Sequence, residues 1–128
     1  MREWWTPRGL TAAGAVRVAI GATMVARPAG LATSVGVDSV TARRISWSGS
    51  MIGVRDMVLG AGLVHAVRRG HDPRPWLAAQ AASDAVDAVA FGTAAARRDA
   101  PRPKAALIVA IAALSAAAEA AACRGLSR

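Results

Sequence analysis

The chain has 128 residues, a length that suits a single domain. Of these 54% are apolar, yet there is no tyrosine and a single phenylalanine, Phe91, so a large aromatic core is excluded. The formal charge of +8 first suggests nucleic acid. However, the basic residues fall between apolar runs, mostly in pairs (Arg43-Arg44, Arg68-Arg69, Arg97-Arg98, then Arg102 and Lys104), which suits anchoring at a membrane surface instead.

Met1 to Arg8 is too short and too mixed for a signal peptide, and the apolar stretch after it contains Arg17. That stretch, about residues 9–26, reads as a retained first helix that stops at Arg27-Pro28. A second apolar segment covers about 45–67, a third about 75–96 and a fourth about 105–123. Each matches the roughly 20 residues needed to cross the hydrocarbon core. Alanine-rich segments of that length can only be helices. The expected fold is all-α, a four-helix transmembrane bundle with a central polar cluster in one membrane-embedded domain. A bacterial plasma membrane is the expected setting, with lipid as a partner and no nucleic acid.

The connectors agree with these boundaries. Pro28, Pro73, Pro75, Pro101 and Pro103 lie between or at the edges of the spans, and Gly30, Gly36, Gly70 and Gly125 punctuate the same regions. Ser39 or Thr41 is placed to cap the second helix. Trp4, Trp5, Trp47 and Trp76 fall near helix ends, as in an interfacial aromatic belt. Basic residues are balanced between the two sides, with Arg2 and Arg128 among them, so orientation is not specified. Gly49 and Gly53 form a G-x-x-x-G pair with Gly60 two turns on, while Gly14 and Gly21 flank Arg17. Such spacings let helix backbones approach closely, and packing within the chain is expected rather than a dimer seam.

Ionisable residues near the middle of the spans carry the functional information. Arg17 lies on the first helix, Arg55 and Asp56 on the second, Asp84 and Asp87 on the third and Glu119 on the fourth. Each such charge costs at least about 2.5–3.5 kcal/mol at the membrane centre, so all must face one another or a wet cavity. Gln80, Asp84 and Asp87 follow i, i+4, i+7 on one face, and Phe91 continues it. Ser115, Glu119 and Cys123 share a face of the fourth helix. Arg55 and Asp56, about 100° apart, border one interior without pointing at the same spot. Two arginines against four carboxylates leave two acids to be protonated, hydrated or paired with a foreign group. Asp84 and Asp87, one turn apart, would repel if both ionised, and close carboxylates favour one protonated member.

The run Gly53-Val54-Arg55-Asp56-Met57-Val58-Leu59-Gly60, with Arg17 before it and the aspartate pair after it, resembles a group of small four-helix integral membrane proteins of unknown function in high-GC bacteria. The resemblance covers most of the chain. It implies the fold and the grouping of Arg17, Arg55, Asp56 and Asp84, and it implies no activity.

From the residues, the leading expectation is a cofactor-independent acid/base enzyme of cyclase, isomerase or epoxide-opening type, acting on a lipophilic small molecule. Asp84 or Asp87 is the expected general acid, Asp56 its ionised partner or base, and Arg17 and Arg55 the positioning cations. Glu119 and Gln80 are expected at the cavity entrance, with Phe91 as a further substrate contact. No cofactor or metal motif is present, since the chain lacks H-x-x-x-H, C-x-x-C and a phosphate loop. The alternatives are a proton-coupled exporter working as a homodimer, and a structural or accessory membrane subunit whose charges only hold helices together.

Overall fold

The computed structural model describes residues 4–34, 36–99 and 102–126. Arg2, Pro101 and Arg128, which the sequence reading used as flanking residues, lie outside them. Every regular element among the described residues is helical: α1 (Pro7–Ala26), α2 (Gly30–Ser34), α3 (Ser39–Arg44), α4 (Ser46–Arg68), α5 (Arg74–Ala96) and α6 (Arg102–Gly125). The four long helices match the four expected segments to within a few residues at each end. The short α2 and α3 are additions.

Local chemistry explains the boundaries. Thr6 caps α1 by accepting the Gly9 N–H at 3.2 Å, and Pro7 follows where its missing N–H is harmless. The expected cap at Ser39 or Thr41 is corrected to Asp38, whose Oδ1 accepts from the N–H groups of Val40 and Thr41, both at 3.0 Å. That cap opens α3, a separate helix, and not the long α4. Helices α2, α4 and α5 end in the same way, with a positive φ at Gly36, Gly70 and Arg98. The next N–H in each case reaches back to an inner carbonyl, as in His71 N to Ala66 O at 2.8 Å.

Packing proceeds in antiparallel pairs. Helix α1 lies along α4 through facing glycines, Gly14 opposite Gly60 and Gly21 opposite Gly53. A Cβ at Gly60 would stand 2.5 Å from the Gly14 carbonyl oxygen, and one at Gly53 2.6 Å from that of Gly21. Gly49 sits against the Pro28 backbone. The G-x-x-x-G pair is therefore an internal seam. Helix α5 lies along α6, and α4 meets α5 over a shorter stretch where the Trp76 ring covers Gly62. Leu10, Leu63, Leu77 and Ala122 form an apolar plug, with Trp5 and Trp76 against it. All four helices contribute to it near the same end, where α1 and α5 begin and α4 and α6 finish.

Polarity is inverted relative to a water-soluble domain. Asp56, Gln80, Asp84 and Glu119 are buried, whereas Val89 is 69% and Leu114 71% exposed. Val54, Val58, Val86 and Leu107 also point outward. An apolar exterior of this extent marks a surface made for something other than water. Helices α1, α4 and α6 are long and apolar enough to cross a membrane. Helix α5 is as long as α4 but is not in that group, because Gln80, Asp84 and Asp87 interrupt its apolar content.

Two predictions follow from the glycine seam and the Asp38 cap. Gly53→Val or Gly60→Val should cost roughly 1–3 kcal/mol by overpacking. Gly92→Ala, where a Cβ meets only Val109 Cγ2 at 3.9 Å, should be neutral or gain up to about 1 kcal/mol. Thermal unfolding in detergent micelles separates the two. At Asp38, the Thr41 backbone N–H above all, then the Thr41 side chain and the Val40 N–H, hold the carboxyl below the usual aspartate range. Its capping contribution is thus complete above about pH 3.9 and is lost as pH falls through the depressed value. Amide exchange at Val40 and Thr41 should accelerate on strong acidification, and should already be fast at neutral pH in Asp38→Ala.

Candidate functional site

Arg17 projects from the middle of α1 into the space between the helices. Its guanidinium reaches three carboxylates on three helices. Nη1 donates to Asp84 Oδ2 at 3.1 Å and to Glu119 Oε1 at 2.9 Å. Nη2 makes a very close contact with Asp84 Oδ1 and a longer one, 3.4 Å, with Asp56 Oδ1. Asp84 is thereby held by both arms of the fork, the strongest arrangement available to a carboxylate. The close approach of Gly14 and Gly21 to α4 brings the base of this side chain near Asp56.

Arg55 builds the second half. It holds Asp87 by two bonds, Nη1 to Oδ1 at 2.8 Å and Nη2 to Oδ2 at 2.6 Å. Its Nη2 and Nε also lie 3.2 and 3.4 Å from Asp56 Oδ1. The expectation that Arg55 and Asp56 cannot meet at one spot is corrected here. The arginine stem is long enough to fold back along α4, so both guanidiniums converge on one oxygen of Asp56. The two ends differ in exposure, the side chain of Arg17 being 13% and that of Arg55 32% exposed.

The six charged residues singled out in the sequence thus form one connected network. Their hydrogen bonds divide the acids into two groups. Asp84 and Asp87, the expected candidates for a general acid, each accept a full arginine fork. They avoid mutual repulsion by taking different arginines. Asp56 has only long contacts, all on Oδ1. Glu119 has Oε1 on Arg17, while its Oε2 is buried with no hydrogen-bond partner, as are Arg17 Nε and Ser83 Oγ. The two acids least satisfied by arginine are therefore Glu119 and Asp56.

Glu119 and Gln80, the residues expected at the cavity entrance, both line the cavity and are buried, 8% and 2% exposed. For Glu119 the reason is the length of Arg17, which reaches across to α6. For Gln80 it is a bond from Nε2 to the Leu59 carbonyl at 3.0 Å, which ties α5 to α4. Ser83 went unmarked in the sequence because a lone serine on an alanine-rich helix carries no signal.

A cavity of about 590 Å³ opens above this network. Arg17, Asp56, Asp84, Asp87, Gln80 and Glu119 form the polar part of its wall. The rest of its wall is largely apolar, including Ile20, Met24, Ile52, Phe91 and Ile111. Phe91, the expected further substrate contact, lies on this wall. Arg55 is not part of the wall; it braces Asp56 and Asp87 from outside it. The arrangement sets the carboxyl groups of Glu119 and Asp56 and the Arg17 guanidinium together on a largely apolar cavity, group types that can protonate one atom and deprotonate another.

Removing Arg17 should be the most damaging single change in the network, because Arg17→Leu strands three buried carboxylates. A loss of about 3–5 kcal/mol is expected, the range for breaking a buried ion pair from one side. Arg55→Leu should cost less, and Arg55→Leu with Asp87→Leu less again. Unfolding of the four proteins in one detergent measures this. A double variant worse than Arg55→Leu alone would refute the pairing.

The chain matches no protein-family model, no curated protein and no solved structure, so its chemistry is read from the arginine–carboxylate geometry alone.

Proposed function

We propose that the chain is a four-span protein of a bacterial plasma membrane and a cofactor-independent acid/base enzyme that cyclises, isomerises or opens an epoxide in a lipophilic small molecule. The fourth span in this reading is α5, whose polar face is covered by the other three long helices. The observation that carries the enzyme reading is Glu119. It is buried, one oxygen is fixed by Arg17, and the other is unpartnered beside an apolar-walled cavity.

The charge balance supports a proton on this residue. Two guanidiniums face four carboxylates, and Asp84 and Asp87 account for both cations by two-point pairing. Glu119 then serves as general acid. It passes its proton to an epoxide or carbonyl oxygen, or to an alkene carbon, and Arg17 stabilises the carboxylate left behind. Loss of a proton from the substrate to Asp56 completes an isomerisation with no net change in atoms or charge. The proton then lies on Asp56, within one network with Glu119 through Arg17, and returns there to reset the site. Arg55 and Asp87 act as positioning residues that hold Asp56.

The surplus of carboxylates also suits a proton-coupled exporter. The apolar plug of Leu10, Leu63, Leu77 and Ala122 packs all four long helices together beside the network, which disfavours a continuous path through the bundle and so favours the enzyme.

Glu119→Gln is the deciding variant. It removes the proton and keeps the shape, so product formation in a producing strain complemented with it should fall by about 10²- to 10⁴-fold, with the melting temperature little changed. Full product formation by a folded Glu119→Gln protein would end the acid/base reading. Glu119→Asp should recover part of the activity.

A further inference from the structure

The cavity has a side as well as an end. The α1–α4 seam is closed by glycines in backbone contact. The α4–α5 seam is closed by Trp76 on Gly62, by Gln80 on the Leu59 carbonyl and by Arg55 on Asp87. Helices α5 and α6 pack along their length. No comparable packing joins α1 to α6 among the described residues. These two helices share the plug, through Leu10 and Ala122, and the Arg17–Glu119 bond, and beyond them the cavity lies between the helices. Val16 and Ile20 on α1 and Ile108 and Ile111 on α6 form its rims. Val16 and Ile111 are each more than half exposed, so the rims belong to the outer surface as well as to the cavity.

We infer that the cleft between α1 and α6 is a lateral doorway, through which an elongated, uncharged lipophile enters from the bilayer and brings one oxygen-bearing or unsaturated end to Glu119. This rests on the proposed reading for the placement in a bilayer and for what happens at that end. Depth supplies the argument about the ligand. Arg17 is ten residues into α1, which at about 1.5 Å per residue lies about 15 Å from the helix start. That is half of a hydrocarbon core about 30 Å thick. A ligand moving sideways into the cleft at this depth never leaves hydrocarbon, so a charged headgroup would have to be dragged through it at prohibitive cost. A neutral oxygen or alkene has no such barrier. On arrival it meets the orphaned Oε2 of Glu119, the only unpartnered carboxylate oxygen among the buried atoms of the described residues. The volume of about 590 Å³ falls within the range of pockets that enclose drug-sized molecules, about 300–1,000 Å³.

The test uses the full chain in phosphatidylcholine nanodiscs and a long-chain terminal epoxide carrying a mid-chain diazirine. Photolabelled positions are mapped by mass spectrometry. Labels should concentrate at least tenfold on the α1 and α6 rims, at Val16, Ile20 and Ile111, over the outward faces at Val54, Val58, Val86 and Val89. An excess of the unlabelled epoxide should remove them. Val16→Trp with Ile111→Trp should abolish rim labelling without lowering the melting temperature, whereas Val54→Trp with Val89→Trp should leave it intact. Even labelling of all faces, or labelling that competitor does not displace, would assign the cleft to bulk lipid and overturn the inference. Rims shielded from probe in a dimer would assign it to a second copy and overturn it equally. The two readings fail separately. Rim labelling together with full product formation by Glu119→Gln sinks the acid/base chemistry and leaves the doorway, while even labelling with an inactive Glu119→Gln does the reverse.

Discussion

The fork of Arg17 is the interaction on which the interior depends. One guanidinium meets carboxylates from α4, α5 and α6, so a single side chain of α1 ties all four long helices together. Apolar side chains do this only at one end, in the plug of Leu10, Leu63, Leu77 and Ala122, and many of the large ones elsewhere point outward. Away from the plug, close contact is made largely through glycine and a few polar groups. In such a protein the usual division of labour is reversed. Oily residues face the surroundings, and close backbone contact together with ion pairing holds the interior. The second arginine, Arg55, extends the network by one more acid and leaves it with more carboxylates than cations.

That imbalance links structure to the proposed chemistry. A purely structural network gains nothing from extra buried acids, since each unpaired carboxylate is a desolvated group without compensation. Here all four acids border the cavity, and the two with poor pairing, Glu119 and Asp56, stand beside two that are held by full arginine forks. The plug and the largely apolar walls surround the same few atoms, a setting in which a fixed cation and a proton donor act more strongly than in water.

Much of this was legible in the sequence. The long helices were found because spans of roughly 20 apolar residues, interrupted by Pro and paired Arg, have one credible conformation. All six charged members of the network were found because charge inside such a span needs a partner. Helices α2 and α3 were missed because Gly30, Gly36 and Pro28 read as punctuation, and only Asp38 signals a cap. The distribution of roles was illegible for a geometric reason. Sequence spacing gives the direction in which a Cα–Cβ bond points, but a guanidinium ends several bonds further on. Arg17 therefore reaches Glu119 across to another helix, and Arg55 bends back to its own neighbour. The bond from Gln80 to α4 was illegible as well, because its partner is the Leu59 backbone carbonyl, a group that any sequence would provide.

The spread of these partners along the chain has a consequence for biogenesis. Asp56, Asp84 and Glu119 follow Arg17 by 39, 67 and 102 residues. For a chain inserted as proposed, with synthesis at about 5–20 residues per second, the arginine of the first helix waits roughly 5–20 s for its last carboxylate. Until α4 is made, α1 holds a charge that its own sequence cannot neutralise and a glycine seam with nothing to lie against, and the Arg17 fork stays incomplete until α6 follows. The first helix is therefore a tenant of the insertion machinery or of the membrane edge until the chain is nearly complete. Commitment to the bilayer is then an act of the whole protein, closed by the arrival of α6.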